Sequence, residues 1–263
     1  MKPLKVRMET ELAGLPFVCE GFHLNALKGG ALNSSYRLAT SNKSYFVKTF
    51  ESDNIAVLDR KRLFDIQQTL AEKGLAVKPI YLSKTETFQV DQWLDVATLD
   101  MAGLSDVETS QTLASVLSTL HSTEVDAPEL DLPSQWQHYI NLIDLPVSAQ
   151  QQRTLDNYRD VWQQACANKT VFCHNDLALS HVTYATPYKV FDWEYCSKSC
   201  PYFDLASCIL VNGFSATNEA SLCAFYAQST KQRVSEVVAK VTTMKPLVEL
   251  TNMLWYQAAK QSA

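Results

Sequence analysis

The residue types that could do chemistry are concentrated in residues 171–202. His174 and Asp176 form a His-x-Asp group, His181 follows Asp176 by five positions, and Asp192 follows it by sixteen. Phosphoryl transfer needs one carboxylate to accept the proton of the attacking hydroxyl and another to hold the metal ion that bridges the phosphates. The spacing therefore indicates the catalytic half of a phosphoryl-transfer site.

A short β-hairpin is predicted to bring the two carboxylates together. Residues 182–184 and 188–191 have strand character, and Ala185-Thr186-Pro187 between them is a turn signal. Because a hairpin returns the chain to its starting point, we expect Asp192 to lie beside Asp176.

The motif resembles that of the aminoglycoside phosphotransferase and choline kinase superfamily. HNDLALSH at residues 174–181 and VFDWEYCSKSCPYFDLA at residues 190–206 are similar to its pattern H-x-D-x-x-x-x-N followed by I-D-W-E-Y-A-x-x-G-D-P-x-x-D-L-A. The DWEY form is most similar to the choline, ethanolamine and thiamine kinase branch. The resemblance implies ATP and Mg²⁺ as cofactors, Asp176 as catalytic base and Asp192 as a metal ligand.

Two positions depart from this pattern. His181 stands where the superfamily has the Asn that helps to hold Mg²⁺, and Ser199-Cys200 replace the Gly-Asp before Pro201. Mg²⁺ prefers hard oxygen ligands, so an imidazole is a poor substitute. Three outcomes stay open: the metal rests mainly on Asp192 and ATP oxygens with His181 as a weak ligand, catalysis is weakened, or the chain is a non-catalytic relative.

The chain is predicted to have an α+β, bilobal, protein-kinase-like fold. Residues 1–92 form the N-lobe, a small antiparallel sheet with one helix, and residues 93–263 form a larger, mainly helical C-lobe. Alternating patterns indicate five N-lobe strands, at residues 22–27, 35–39, 44–50, 79–82 and 87–94. Helical patterns in the C-lobe cover residues 113–121, 134–143, 155–167 and the segment from 203, and the tail from 219 is helical with a break near Pro246.

The loop between the first two strands is the candidate cover for the nucleotide. Small residues there let backbone N–H groups approach phosphates closely. The candidates are Gly29, Gly30, Asn33 and Ser34. An ordinary Gly-Gly hairpin is the alternative interpretation.

A single lysine on the third strand, Lys48, is the candidate to pair the α- and β-phosphates. A helix predicted over residues 54–73 puts Asp59 on the same face as Ile55 and Leu63. Relatives usually orient this lysine with a Glu on that helix, so Asp59 would be a substitute. The alternative is a solvated aspartate favoured by the helix dipole.

The resemblance implies a small cationic alcohol as substrate, of the thiamine, choline or ethanolamine type. Aromatic faces and carboxylates hold such cations, and the available suppliers are Glu194, Trp193, Tyr195 and Trp255. Tryptophans at apolar-flanked positions such as 193 and 255 are more often core residues. A kinase-fold protein that binds nucleotide or ligand without turnover is one alternative. An aminoglycoside-type phosphotransferase is another, although the tail lacks the dense acidic cluster that such a pocket needs.

Composition excludes several other classes of protein. The chain is 46% hydrophobic and carries a net charge of −5, so it has no basic excess with which to bind nucleic acid. It has no signal-peptide pattern and no apolar run long enough for a membrane span, so we expect a cytoplasmic protein with no membrane partner. Seven cysteines without a C-x-x-C pair indicate reduced thiols rather than a zinc site.

Overall fold

The computed structural model describes residues 4–18, 21–27, 33–143, 148–168 and 170–262. The chain divides into two compact units, Met1–Val96 and Ala97–Ala263. The first contains a five-stranded sheet, and the second is mainly helical. The α+β class predicted from the sequence is confirmed.

An antiparallel sheet forms the centre of the first unit. Its strands are β1 (His23–Ala26), β2 (Ser35–Ala39), β3 (Ser44–Thr49), β4 (Pro79–Leu82) and β5 (Phe88–Gln92), in the order β1-β2-β3-β5-β4. Each strand lies within two residues of its predicted bounds. Leu38 of β2, Val47 of β3 and Val90 of β5 are buried in one core cluster. The same cluster contains Met8 and Leu12 of helix α1 (Leu4–Leu12), a helix that was not predicted from the sequence.

Helix α2 of the first unit (Arg60–Glu72) begins later than the sequence predicted. Ahead of it, residues Glu51–Asn54 form a 3₁₀ turn. Asp59 is exposed and is the N-cap of α2, where its side chain accepts a hydrogen bond from the backbone N–H of Arg62 at 2.9 Å. The prediction that Asp59 faces inward to orient Lys48 is therefore wrong, because position 59 precedes the helix and its carboxylate is occupied by the helix end.

Six α-helices make up most of what the structure describes of the second unit. They are α3 (Asp106–Ser122), α4 (Leu132–Ile143), α5 (Ala149–Asn168), α6 (Pro201–Val211), α7 (Ala216–Ser229) and α8 (Val234–Ser262). The predicted helical segments lie in these helices. The predicted break near Pro246 is wrong, since α8 continues through it. A proline removes one backbone hydrogen bond, and packing of α8 against α4, α6 and α7 holds the helix on both sides of that position.

A two-stranded antiparallel ribbon carries the central motif. Its strands are β6 (Val171–Cys173) and β7 (Ser197–Ser199). The predicted hairpin between them forms through a single β-bridge, Val182 with Val190. Two backbone hydrogen bonds support this bridge, from Thr183 N–H to the Lys189 carbonyl at 2.9 Å and from Phe191 N–H to the His181 carbonyl at 2.8 Å.

The cysteines in the described part of the chain form no disulfide, and five of these six thiols are buried. Burial raises the pKa of the Cys173 and Cys196 thiols, so they stay protonated. No helix within the described ranges is both long and apolar enough to cross a bilayer.

Candidate active site

A buried aspartate anchors the loop that follows β6. Asp204, 0% exposed in the first turn of α6, accepts the backbone N–H groups of His174 at 2.9 Å and Asn175 at 2.7 Å. It also accepts a hydrogen bond from His121 Nε2 at 3.0 Å. Burial acts to raise the pKa of Asp204, but the hydrogen bond and charge of His121 outweigh it and lower the pKa below its ordinary value. An ionised Asp204 therefore fixes the start of the loop.

Asn175 ties the loop to the ribbon. Its Nδ2 donates to the Tyr195 carbonyl and to Ser197 Oγ, both at 2.9 Å, and its Oδ1 accepts from Ser199 Oγ at 2.8 Å. Its φ of 65° lies in the left-handed region, which asparagine tolerates better than most residues. Sequence reasoning treated Asn175 as a variable position, since no local pattern marks these distant partners.

His174 is fully buried and is held as one neutral tautomer. Its Nε2–H donates to the Phe191 carbonyl at 2.8 Å, and its Nδ1 accepts the backbone N–H of Asp176 at 3.2 Å. Burial, with the nearby charge of His181, lowers the pKa of His174 to about 4. The ring therefore acts as a rigid spacer between the loop and the end of the hairpin.

The ring of His181 lies between the backbone of Asp176 and the side chain of Asp192. Its Nδ1 lies 2.9 Å from the Asp176 carbonyl oxygen, and because a carbonyl only accepts, Nδ1 carries the hydrogen. Its Nε2 lies 3.7 Å from Asp192 Oδ2, too far for a hydrogen bond. The structure thus places the backbone carbonyl of Asp176 and the carboxylate of Asp192 on opposite sides of one imidazole ring.

The backbone at Asp192 has the left-handed conformation, with φ 58° and ψ 60°. This conformation costs an ordinary residue about 1–2 kcal/mol, and less for aspartate, whose short polar side chain tolerates it. The hydrogen bond of the preceding residue, from Phe191 N–H to the His181 carbonyl, fixes the chain here. Asp192 is therefore held at the end of the hairpin, where its left-handed backbone conformation ends the extended conformation of the preceding residues.

Two tyrosines, Tyr139 and Tyr195, have pKa values raised by burial and by Glu194. Burial, and then the negative charge of Glu194, raises the pKa of Tyr139 to about 12, and the same two causes raise the pKa of Tyr195. The charges of Asp176 and Asp192 also raise the pKa of Tyr195. The charge of Glu194 thus acts on both tyrosines, whereas the charges of Asp176 and Asp192 act on Tyr195. The sequence analysis missed Tyr139 because, as a residue of α4 with 1% exposure, it has the pattern of a core position.

Trp193 has a packing role rather than the predicted substrate contact. It is 3% exposed, and its ring lies against the rings of Phe172 and His174, at centroid distances of 5.9 and 5.0 Å. Its Nε1–H donates to the Val190 carbonyl at 3.1 Å. The ring of Trp193 packs against other side chains and its N–H is hydrogen-bonded within the protein. Trp193 is therefore a core residue.

Trp255 is half-buried on α8. Its ring makes an edge contact with that of Tyr256, at a centroid distance of 5.1 Å. The Nε1–H of Trp255 is buried and has no hydrogen-bond partner among the residues that the structure describes. A buried indole N–H usually finds an acceptor, so Trp255 stays a candidate for contact with a ligand.

The predicted nucleotide residues belong to the first unit. Lys48 is half-buried on β3, opposite Ser35 of β2 and Gln89 of β5. The predicted Gly29 and Gly30 lie outside the described residues.

The side chain of Asn33 accepts the backbone N–H of Ser52 at 2.9 Å, so it secures the end of the loop. The backbone N–H of Ser34 donates to Thr49 Oγ1 at 3.0 Å. This amide hydrogen is therefore bonded within the protein, and a phosphate contact of Ser34 stays a prediction.

Buried amides connect α2 to the sheet. Gln89 Nε2 donates to Gln67 Oε1 at 2.8 Å and to Asp91 Oδ1 at 2.7 Å, and Gln67 Nε2 donates to the same Asp91 oxygen at 3.1 Å. The sequence analysis did not identify this network. Because Gln89 lies opposite Lys48 in the sheet, the amides form the polar surroundings of that part of the strand.

One other cluster has residue types that bind metals. Ligand atoms of His121, Cys173 and Asp204 lie within 4.8 Å of one another. However, Asp204 accepts three hydrogen bonds, and His121 uses its Nε2 on Asp204 and its Nδ1 with the Tyr226 hydroxyl at 2.8 Å. The cluster is therefore a hydrogen-bonded part of the core.

The chain is similar to known proteins in family and in fold. The model of the phosphotransferase enzyme family matches residues 23–236. Among solved structures, choline kinase LicA from Streptococcus pneumoniae is similar with a TM-score of 0.77 and 21% identity, over 98% of this chain and 91% of that one. A choline/ethanolamine kinase family protein from Mesorhizobium loti gives 0.74 and 16%, over 98% and 87%.

A structure of LicA in complex with AMP gives a TM-score of 0.69 and 19% identity, over 98% of this chain and 97% of that one. No curated protein sequence matches the chain. At these identities the similarity concerns the fold, and it confirms the protein-kinase-like fold predicted from the sequence.

Proposed function

Because the chain belongs to the phosphotransferase enzyme family, we propose that it is a small-molecule kinase that transfers the γ-phosphoryl group of ATP to the hydroxyl group of a cationic alcohol. The observation that carries this proposal is the arrangement around His181. Its ring lies between the Asp176 backbone and the Asp192 carboxylate. The charges of Asp176 and Asp192 both raise the pKa of Tyr195, which supports two carboxylates close enough to serve the proton transfer and the metal ion of phosphoryl transfer.

Asp176 is the proposed catalytic base. It accepts the proton of the substrate hydroxyl as that oxygen attacks the γ-phosphorus. Its backbone is held on both sides, by His174 at the amide and by His181 at the carbonyl. Such positioning is the main contribution that a protein makes to this reaction.

Asp192 is the proposed carboxylate ligand of a divalent cation. When bound, that cation supplies positive charge to the phosphate oxygens. A carboxylate suits Mg²⁺, whereas the imidazole of His181 does not. Lys48 is the proposed phosphate contact of the first unit, and the AMP complex of LicA supports a nucleotide as ligand of this fold.

Glu194, Tyr195 and Trp255 are the proposed contacts of the cationic substrate. Glu194 supplies a negative charge, and the aromatic rings supply the electron-rich faces to which a quaternary or aromatic cation binds. The influence of Glu194 on the pKa of Tyr195 supports their closeness. The choline kinase and choline/ethanolamine kinase structures support a substrate of the choline, ethanolamine or thiamine type.

The experiment is a transfer assay followed by phosphorus NMR. Purified protein is incubated with ATP, a divalent cation and each of choline, ethanolamine, thiamine and an aminoglycoside. We expect a phosphorylated product from one of the three small alcohols. Asp176→Asn should lower kcat by about 100-fold or more, because general-base catalysis contributes at least that much.

Asp156→Asn is the matched control for this assay. It removes an exposed carboxylate on α5 that pairs with Arg159, and it should leave the rate unchanged. Phosphorylation of the aminoglycoside alone would contradict the substrate class. An absence of product from every alcohol would contradict the proposed reaction.

His181 gives the second candidate function its support. A kinase-fold protein that binds nucleotide without turnover would explain the loss of the usual metal-binding amide. In that case ATP should raise the melting temperature in the presence of a divalent cation, while no acceptor is phosphorylated.

A further inference from the structure

His181 has the hydrogen-bonding arrangement of a metal ligand. In metal-bound histidines the ring nitrogen that does not bind the ion usually donates its hydrogen to a carboxylate, a carbonyl or water, which fixes the tautomer. Here Nδ1–H donates to the Asp176 carbonyl at 2.9 Å. In the neutral ring the lone pair therefore lies on Nε2, the atom that faces Asp192.

The distance between the two donor atoms fits one shared cation. Two ligand atoms at typical metal distances lie about 3.0 Å apart at a right angle and about 3.4 Å apart at a tetrahedral angle. Nε2 of His181 and Oδ2 of Asp192 are 3.7 Å apart, so a small side-chain rotation brings both to one ion. The two side chains are 20% and 29% exposed, so both are in part accessible to solvent.

Of the two histidines of the motif, His181 rather than His174 is the candidate metal ligand. His174 lies 5.9 Å away between ring centroids, but it is fully buried and both of its ring nitrogens are bonded within the protein. The bond from Phe191 N–H to the His181 carbonyl keeps the ends of the hairpin together. His181 Nε2 and Asp192 Oδ2 are thus the two protein atoms with which the proposed site begins.

We propose that His181 Nε2 is a direct ligand at the cation site, and that this site prefers a transition-metal dication such as Mn²⁺ or Co²⁺ over Mg²⁺. The inference rests on the proposed function, since nucleotide phosphates would complete the coordination. Mg²⁺ requires near-octahedral oxygen coordination. Imidazole nitrogen binds transition metals more strongly, with affinity rising from Mn²⁺ to Co²⁺ and beyond.

The first test detects the nitrogen ligand without any measurement of activity. Mn²⁺ and ADP are added to the full chain labelled with isotopic nitrogen in its histidines, and pulsed electron paramagnetic resonance records nuclear coupling to the metal. We expect a coupling from one histidine nitrogen, which disappears in His181→Asn. His23→Asn, at an exposed position of β1, is the matched control and should keep the coupling.

The second test measures selectivity. Titration calorimetry gives the Kd of Mg²⁺, Mn²⁺ and Co²⁺ for the protein with ADP. The ratio of the Mg²⁺ Kd to the Co²⁺ Kd should fall by about tenfold in His181→Asn, in line with the usual effect of losing a group that supports a metal. The His23→Asn ratio should equal that of the unaltered chain.

The outcomes separate this inference from the proposed function. A histidine coupling together with a silent transfer assay supports the metal site and contradicts only the kinase reaction. Product formation with no histidine coupling, or a selectivity ratio that His181→Asn leaves unchanged, overturns the inference and leaves the kinase proposal standing. Failure of Mn²⁺ and Co²⁺ to bind in the presence of bound ADP also overturns the inference.

Discussion

Mild acid should destabilise the protein through His174. The buried ring donates from Nε2 to the Phe191 carbonyl and accepts the Asp176 N–H at Nδ1. A protonated ring would carry a hydrogen at Nδ1 as well, which would face the hydrogen of Asp176. Burial, and then the charge of His181, hold the pKa of His174 at about 4 in the folded chain, against an ordinary value of 6.5.

The size of the effect follows from the two pKa values. The unfolded chain takes up a proton at His174 as the pH falls through 6.5, whereas the folded chain does so only near a pKa of about 4. The free energy of unfolding therefore decreases over this interval and does so no further below it. The slope approaches about 1.4 kcal/mol per pH unit, so that acidification from about pH 7 to about pH 5 costs about 2 kcal/mol.

The assay compares denaturant unfolding of the unaltered chain and His174→Gln in steps across that interval. Glutamine cannot make both hydrogen bonds, so the variant should be less stable at every pH, but its curve should lack the 2 kcal/mol decrease. His23→Gln changes an exposed histidine and should keep the slope of the unaltered chain. Histidine NMR on the unaltered chain gives the same information if His174→Gln does not fold.

Two results would refute this reasoning. One is a His174 ring that titrates near its ordinary pKa in the folded protein. The other is an equal pH slope in the unaltered chain and His174→Gln, since the proton uptake would then belong to other groups.

Three further changes have defined outcomes. Asp204→Asn replaces a carboxylate oxygen that accepts hydrogen bonds with an NH₂ group that faces other donors. The free energy of unfolding should fall by about 3–5 kcal/mol in denaturant titrations. A decrease below about 1 kcal/mol would contradict the anchoring role of Asp204. Ser105→Ala removes the capping box with Glu108 at the start of α3 and should lower stability by about 1 kcal/mol, whereas Ser105→Thr should retain most of it. Glu194→Gln should raise KM for the cationic alcohol about tenfold at constant kcat, and an unchanged KM would remove Glu194 from the proposed site.

The sheet was predictable because its signal is local. Alternation along each strand reflects one buried face, so residues such as Val47 and Val90 mark their strands without knowledge of the fold. Helix α1 buries only Met8 and Leu12, which is too few positions to give a helical period. The predicted start of α2 is too early because Ile55 is buried in the segment before the helix. An apolar residue at that position gives the same pattern as the first turn of a helix.

The candidate site was predictable where its residues are close in sequence. The spacing from His174 to Asp192 carried the motif. The anchor of the loop could not be recognised in the same way, because His121 and Asp204 are separated by 83 positions. The orientation of His181 depends on one hydrogen bond to the Asp176 carbonyl, and no residue pattern encodes which ring nitrogen makes it.

The hairpin before Asp192 offers a position for attachment of a reporter group. Tyr184 is 50% exposed, and residues 185–187 are exposed as well. Below this tip the chain is closed by two bonds between Thr183 and Lys189, at 2.9 Å and 2.8 Å. Since the two bonds lie between the tip and Asp192, a fluorophore or short epitope at residues 185–187 should leave the backbone pairing that holds Asp192 in place.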